Sequence, residues 1–232
     1  MNPVLRSSAA HVFVESIEYP VADGPDAHHL FRVLRLRDGE TITVSDGRGR
    51  WRATTATGGG LVPAGEVLEI PQPHECAIAA AVPKGDRLEW MVQKLTEVGA
   101  TRIVLLDTVR GVVRWDAARS ERQLERLARV VREAASQSRR CWLPQLEGPR
   151  RVADVLAESG AVLADPSGDP LSARLPTGPV VIGPEGGFDP AELDAADRSG
   201  VDRVSLGDGV LRVETAAVVA AALIGAVQST RS

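Results

Sequence analysis

Aromatic side chains make up only 3% of the 232 residues, and cysteine occurs twice. Cys76 and Cys141 stand far apart without a CxxC pair, and the four histidines do not cluster, so neither a disulfide framework nor a metal site is indicated. Long apolar runs are missing too. The longest, Ala216–Val227, is too short to span a bilayer, and Met1–Ala10 carries a charge but no apolar core of a signal peptide. The expectation is a cytoplasmic protein without metal. GxxxxGK[ST], GxGxxG and GxSxG are absent, which leaves nucleotide-binding P-loops, Rossmann dinucleotide sites and nucleophile elbows unsupported.

The composition is that of an ordinary folded chain, 44% hydrophobic and 25% charged, long enough for one large or two small domains. A net charge of −4 argues against a globally basic nucleic-acid binder. Its distribution is uneven. Arg110–Arg151 holds eleven arginines, no lysine and five acids, and a second basic group lies at Arg32, Arg35, Arg37, Arg48, Arg50 and Arg52. Local patches of this kind suit an anionic partner on one face. The alternative for the helix is a solvated face with internal ion pairs such as Glu125–Arg129.

Residues 1–72 read as a small β-rich unit: strands at His11–Val14 and Glu15–Tyr19, a helix over Asp26–Leu36, and a hairpin of Glu40–Ser45 with Arg50–Thr55 about Asp46-Gly47-Arg48-Gly49. A further strand follows over Leu61–Ile70. Ile70-Pro71-Gln72-Pro73-His74 marks the boundary. In residues 73–232, strands at Ala77–Val82, Arg102–Leu106, Ala161–Ala164, Pro179–Ile182 and Asp202–Ser205 alternate with helices. Those helices are Asp86–Val98, Ser120–Gln137, Val152–Glu158, Pro190–Ser199 and Val213–Gln228. Such alternation predicts an α/β domain with a mostly parallel sheet.

Two glycine loops stand out. VVIGPEGG (180–187) is an apolar strand that ends in glycines; Asp189, Pro190 and Glu192 then supply an N-cap, a first helical proline and a capping box. SLGDGVLRVET (205–215) repeats the strand, turn and helix pattern. Either could be an ordinary turn; two together suggest one site at the ends of neighbouring strands.

With these loops, four stretches in order resemble the RsmE-type methyltransferases of the SPOUT superfamily, which methylate a uridine of bacterial small-subunit ribosomal RNA at N3. HHLFRVLRLRDGE…DGRG (28–49) is similar to the family's PUA-like RNA-binding domain. KGDRLEWMVQKLTEVGA (84–100), REAASQSRR (132–140), and IGPEGGF (182–188) with LGDGVLRVETA (206–216) match its remaining blocks. Ser136 stands where the family often has Glu, and Arg139 where it often has Gly.

The resemblance implies an α/β protein: a SPOUT-type trefoil-knotted parallel-sheet methyltransferase domain over 73–232, preceded by a PUA-like β-barrel over 1–72. It implies S-adenosyl-L-methionine as cofactor, 16S rRNA in the small ribosomal subunit as partner, and a homodimer built on Ala216–Val227. The cofactor-binding residues it implies are Leu163, Ile182, Gly183, Pro184, Glu185, Gly186, Gly187, Ser205, Leu206, Gly207, Val210 and Leu211. Those implied for RNA are Arg32, Arg35, Arg126, Arg129, Arg132, Gln137, Ser138 and Arg139.

Uracil N3 carries a proton at neutral pH, so a guanidinium that stabilises the anion and a group that accepts the proton are needed. Arg140 and Arg212 are the candidates for the first task, Glu214 or Glu185 for the second. Each has a plainer alternative: a phosphate contact for Arg140, a pair with Glu185 or Glu214 for Arg212, loop fixation for the carboxylates, and helix capping for Gln137 and Ser138. Trp115, Trp142 and Phe188 are stacking platforms or core. Rival functions are a SPOUT enzyme acting on a ribose 2′-oxygen or another base, and a non-catalytic RNA-binding or ribosome-assembly protein.

Overall fold

The computed structural model describes residues 2–22, 24–111, 113–173 and 175–231. The chain divides into two compact units. The first comprises the residues up to Pro73 together with Arg132–Leu143; the second comprises His74–Val131 and the residues from Pro144 onward.

The first unit opens with helix α1 (Pro3–Ser7), capped by the Asn2 side chain, and strand β1 (Ala10–Phe13). Helix α2 (Gly24–His28) runs into a π-helical turn over His29–Val33. Strands β2 (Thr41–Ser45), β3 (Arg50–Thr57) and β4 (Gly60–Glu69) complete a sheet of order β1-β2-β3-β4, with β1 parallel to β2 and the remaining pairs antiparallel. The hairpin turn falls at the predicted Asp46–Gly49: Asp46 Oδ1 accepts from the amides of Arg48 and Arg50 at 2.8 and 3.2 Å. Val12, Ile17, Leu30, Ile42 and Val44 form the core of this unit. Two expectations fail here. Glu15–Tyr19 is not a strand, because Ser16 Oγ takes the Tyr19 amide in a local turn ahead of Pro20. In the segment expected as one helix, Asp26–Leu36, Leu30 is buried but Val33 and Leu34 are exposed; Arg35, at φ 54°, ends the helical path.

In the second unit β5 (Ala77–Ala81) is buried throughout, and helix α3 (Arg87–Val98) stops at Gly99 in the left-handed region. Strand β6 (Arg102–Asp107) leads to helix α4 (Ala117–Gln137), whose residues from Arg132 pack within the first unit. Then come β7 (Gln145–Arg151), α5 (Val152–Leu156), β8 (Val162–Pro170), β9 (Val180–Ile182), α6 (Pro190–Arg198), β10 (Asp202–Ser205) and α7 (Val213–Arg231). The sheet order is β10-β8-β9-β5-β6-β7, and every pairing is parallel. Strand β7 is an addition to the sequence-based expectation, since Gly148-Pro149 breaks its pattern; it lies at the sheet edge, where a proline is tolerated. Among the described residues no helix is long and apolar enough to cross a membrane.

Candidate functional site

The chain moves outward from β5 through β6 to β7, then returns to the opposite side as β8, β9 and β10. The order reverses between β5 and β9, and ligands of parallel sheets bind beyond the carboxyl ends of strands at such a reversal. Both glycine loops leave those ends.

The first loop, Gly183–Gly187, is clamped from two sides. Gly183 has no room for a side chain: a Cβ there would lie 2.8 Å from the Phe188 ring. Gly187, at φ 70°, donates its amide to the Pro184 carbonyl at 2.8 Å. The expected capping box forms, with Asp189 Oδ1 accepting from the Ala191 amide and Glu192 Oε2 from the Asp189 amide. The other oxygen of Glu192 takes the Val109 amide at 2.9 Å, tying the loop after β6 to the start of α6. Arg110 adds a bond from Nη1 to the Gly186 carbonyl at 3.0 Å. No sequence motif points to Val109 or Arg110 for this role, because these bonds join positions 83 and 76 residues apart.

The second loop runs from Ser205 to Arg212. Gly207, at φ 130°, places its amide 3.3 Å from Ser205 Oγ. Beside Gly207 and Gly209 there is open space where a Cβ would stand. Val210 is 97% exposed and Leu211 36%, so this loop holds apolar side chains out of the core. Leu163 and Ile182 differ from the rest of the expected cofactor set: both side chains are buried, Leu163 in the cluster with Val181 and Phe188. Phe188 is core, not a platform.

Arg87, at the start of α3, lies 3.7 Å from Glu185 Oε1 by Nη1 and 3.6 Å from Glu214 Oε1 by Nε. It thus faces carboxylates from both glycine loops. The sequence pattern offers Arg212 for that pairing; in the structure its side chain is exposed, while its carbonyl accepts the Ala216 amide in the first turn of α7. Glu214 is 6% exposed, and its Oε2 is buried with no hydrogen-bond partner among the described residues. Glu185 and Arg87 are each 44% exposed at the side chain.

Within the first unit the end of α4 is a Schellman turn. Arg139 donates its amide to the Ser136 carbonyl, Arg140 donates to Ala135, and Arg139 sits at φ 59° in the place glycine normally takes. Arg139 Nη2 donates to the Ser8 carbonyl at 2.8 Å. Ser138 Oγ bonds the Ala134 carbonyl at 2.7 Å, the capping alternative; Gln137 is exposed. Arg132 donates to the Phe13 carbonyl at 2.6 Å, pairs with Asp26 at 3.2 Å and stacks over the Phe13 ring, so it serves the fold of this unit. Trp142 is structural as well: its Nε1 donates to the Ile70 carbonyl at 2.9 Å and its ring covers Gly49. Trp115 is half-buried. Arg32 and Arg35 are exposed. In the second unit Arg126 pairs with Glu89 and Arg129 is exposed. Among the described residues no His, Cys, Asp and Glu group could hold a metal ion.

Parallel strands that end in two open glycine loops define an α/β protein with a ligand site beyond the strand ends, and comparison with known proteins gives its class as RNA methyltransferase. Residues 70–225 match the RNA methyltransferase domain model, and residues 22–55 the RNA methyltransferase PUA domain model. Ribosomal RNA small subunit methyltransferase E of Mycobacterium tuberculosis is 35% identical over 90% of this chain and 87% of its own. The Synechocystis protein of the same name is 37% identical over 86% and 70%. The crystal structure of the Neisseria gonorrhoeae protein of that name, bound to S-adenosyl methionine, superposes with a TM-score of 0.77 at 26% identity, covering 92% of this chain and 95% of that one. A putative methyltransferase from Legionella pneumophila, solved with bound SAM, gives 0.78 at 25% identity over 93% and 96%. The chain belongs to the ribosomal RNA small subunit methyltransferase E family.

Proposed function

We propose that this protein transfers a methyl group from S-adenosyl-L-methionine to N3 of one uridine in the 16S RNA of the bacterial small ribosomal subunit. The observation that carries this reading is the pair of glycine loops beyond β9 and β10, with open space beside Gly207 and Gly209 and an unpartnered carboxylate oxygen on Glu214. Such a site fits a ligand that lies along peptide groups and carries positive charge. Backbone groups of Gly183–Gly187 and Ser205–Leu211 would hold its adenine and ribose. When bound, the group supplies an electrophilic methyl on a sulfonium.

The chain's own residues have the remaining work. The N3 proton must leave, and the resulting anion must be held in line with the methyl group. Arg212, exposed at the loop, stabilises charge on a uracil oxygen, and Glu185 or Glu214 receives the proton. Arg140, in the turn that ends the basic helix, is proposed for the same task as Arg212, with a phosphate contact as its alternative. RNA contacts are proposed in each unit by itself, at Arg32 and Arg35 in the first and at Arg126 and Arg129 in the second. Residues 1–72 are proposed as the PUA-like domain and 73–232 as the methyltransferase domain, knotted through the segment from β8 to α7. Half-buried Val218, Val219 and Leu223 on α7 support a homodimer through that helix.

The test is transfer of labelled methyl to small subunits from a strain lacking the modification, with mass spectrometry of the nucleosides. 3-Methyluridine is the expected product. A ribose-methylated nucleoside, or no transfer by a protein that binds the cofactor, would overturn the assignment.

A further inference from the structure

Glu214 presents a half-paired carboxylate. It is nine-tenths buried, Oε1 stands 3.6 Å from Arg87 Nε, and Oε2 has no donor among the described residues. A buried oxygen left so is costly unless something else supplies the partner. Two carboxylates, Glu185 and Glu214, share the single Arg87 guanidinium. Arg110 is balanced by Asp189 at 4.0 Å, and Lys84, Asp86 and Arg212 are exposed.

We infer that Glu214, held by Arg87, is the residue by which the site distinguishes the charged methyl donor from its spent form. This rests on the reading of the ligand as S-adenosyl-L-methionine. In the transfer the S–CH3 bond breaks, its electron pair stays on sulfur, an N3–CH3 bond forms, and the N3 proton leaves. The sulfonium thereby becomes a neutral thioether, while adenine, ribose and the amino-acid end are unchanged. A carboxylate that supplies the countercharge to the sulfonium therefore binds donor more strongly than product, and the reaction itself weakens the hold on the product. A carboxylate that instead met the ammonium group would hold both equally.

The experiment is titration calorimetry of the full chain, without RNA, with S-adenosyl-L-methionine and S-adenosyl-L-homocysteine. In Glu214→Gln the affinity for the donor is expected to fall about tenfold while that for the product changes less than about threefold, which also shows that the variant folds. Asp86→Asn, the same charge change on an exposed carboxylate beside Arg87, is expected to move neither by more than about threefold. Equal losses for both ligands in Glu214→Gln, an unchanged ratio with only turnover reduced, or a larger effect in Asp86→Asn would overturn the inference. Wild-type protein that binds neither ligand would overturn the cofactor reading itself.

Discussion

Nε2 of His11 lies 3.1 Å from the carbonyl oxygen of Arg140, and its Nδ1 lies 2.9 Å from Thr43 Oγ1. A carbonyl only accepts, so Nε2 carries the hydrogen, and the neutral ring takes the Thr43 hydroxyl at Nδ1. Burial drives the pKa of this histidine down to about 4; the bond to Arg140 pulls it upward, and the Arg139 charge lowers it further. The imidazole thus fixes the turn that leads out of α4.

A pH dependence follows. An unfolded histidine protonates near pH 6.5, whereas His11 in the fold stays neutral down to about 4. Its contribution is complete above pH 6.5 and is lost as pH falls toward 4, by at most about 3 kcal/mol. Urea unfolding of wild type and His11→Gln should show the variant less stable by about 2 kcal/mol at pH 7.5, with the gap narrowing toward pH 4.5. A gap that stays constant with pH would contradict the neutral, buried assignment.

Arg139 occupies a glycine position, and two effects oppose each other there. A left-handed φ costs a side chain about 1–2 kcal/mol, and the bond to the Ser8 carbonyl returns a similar amount. Arg139→Gly should therefore change stability by less than about 1 kcal/mol, since it removes both. Arg139→Ala keeps the strain and loses the bond, and should lie about 1 kcal/mol below the glycine variant. Thermal unfolding of the pair decides it; the reverse order would mean that the turn relaxes.

Gly183 and Gly209 are glycines for different reasons. Gly183→Ala drives a methyl into the Phe188 ring and should cost about 1–3 kcal/mol, partly restored by Phe188→Leu. Gly209→Ala meets nothing within 4 Å and should leave the melting temperature within about 1 °C. Its effect should fall on affinity for S-adenosyl-L-methionine. A destabilised Gly209→Ala that binds the cofactor normally would remove that loop from the site.

Local signals carry most of this architecture. The buried strands, the capping box at Asp189–Glu192 and the Asp46–Gly49 hairpin are written within a few residues and are legible there. Pairings between distant segments are not. That Arg87 rather than Arg212 faces Glu185 and Glu214 depends on which strand ends lie side by side, and no periodicity encodes that. Strand β7 hides behind Gly148-Pro149 because only an edge position excuses the proline. Arg139, by contrast, is visible as a departure from the family pattern, and its left-handed φ explains why glycine is common there.

The arginines of α4 divide by what they touch. Arg126 is exposed and pairs with half-buried Glu89 through Oε1, an oxygen shielded from solvent, and Arg129 is exposed. Arg132 is engaged with the Phe13 carbonyl and Asp26. The joint variant Arg126→Ala/Arg129→Ala should lose at most about 1.5 kcal/mol, for the buried Glu89 oxygen that loses its cation, while RNA binding weakens. The slope of log affinity against log salt should fall by about 0.7 for each phosphate of single-stranded RNA that is no longer neutralised. Arg132→Ala should lose about 2 kcal/mol of stability, because a carbonyl and a carboxylate each lose one donor. Filter binding across a salt series, paired with thermal unfolding, separates the two classes. An unchanged salt slope in the double variant would take this helix face off the RNA, and an undiminished melting temperature in Arg132→Ala would return Arg132 to the binding set.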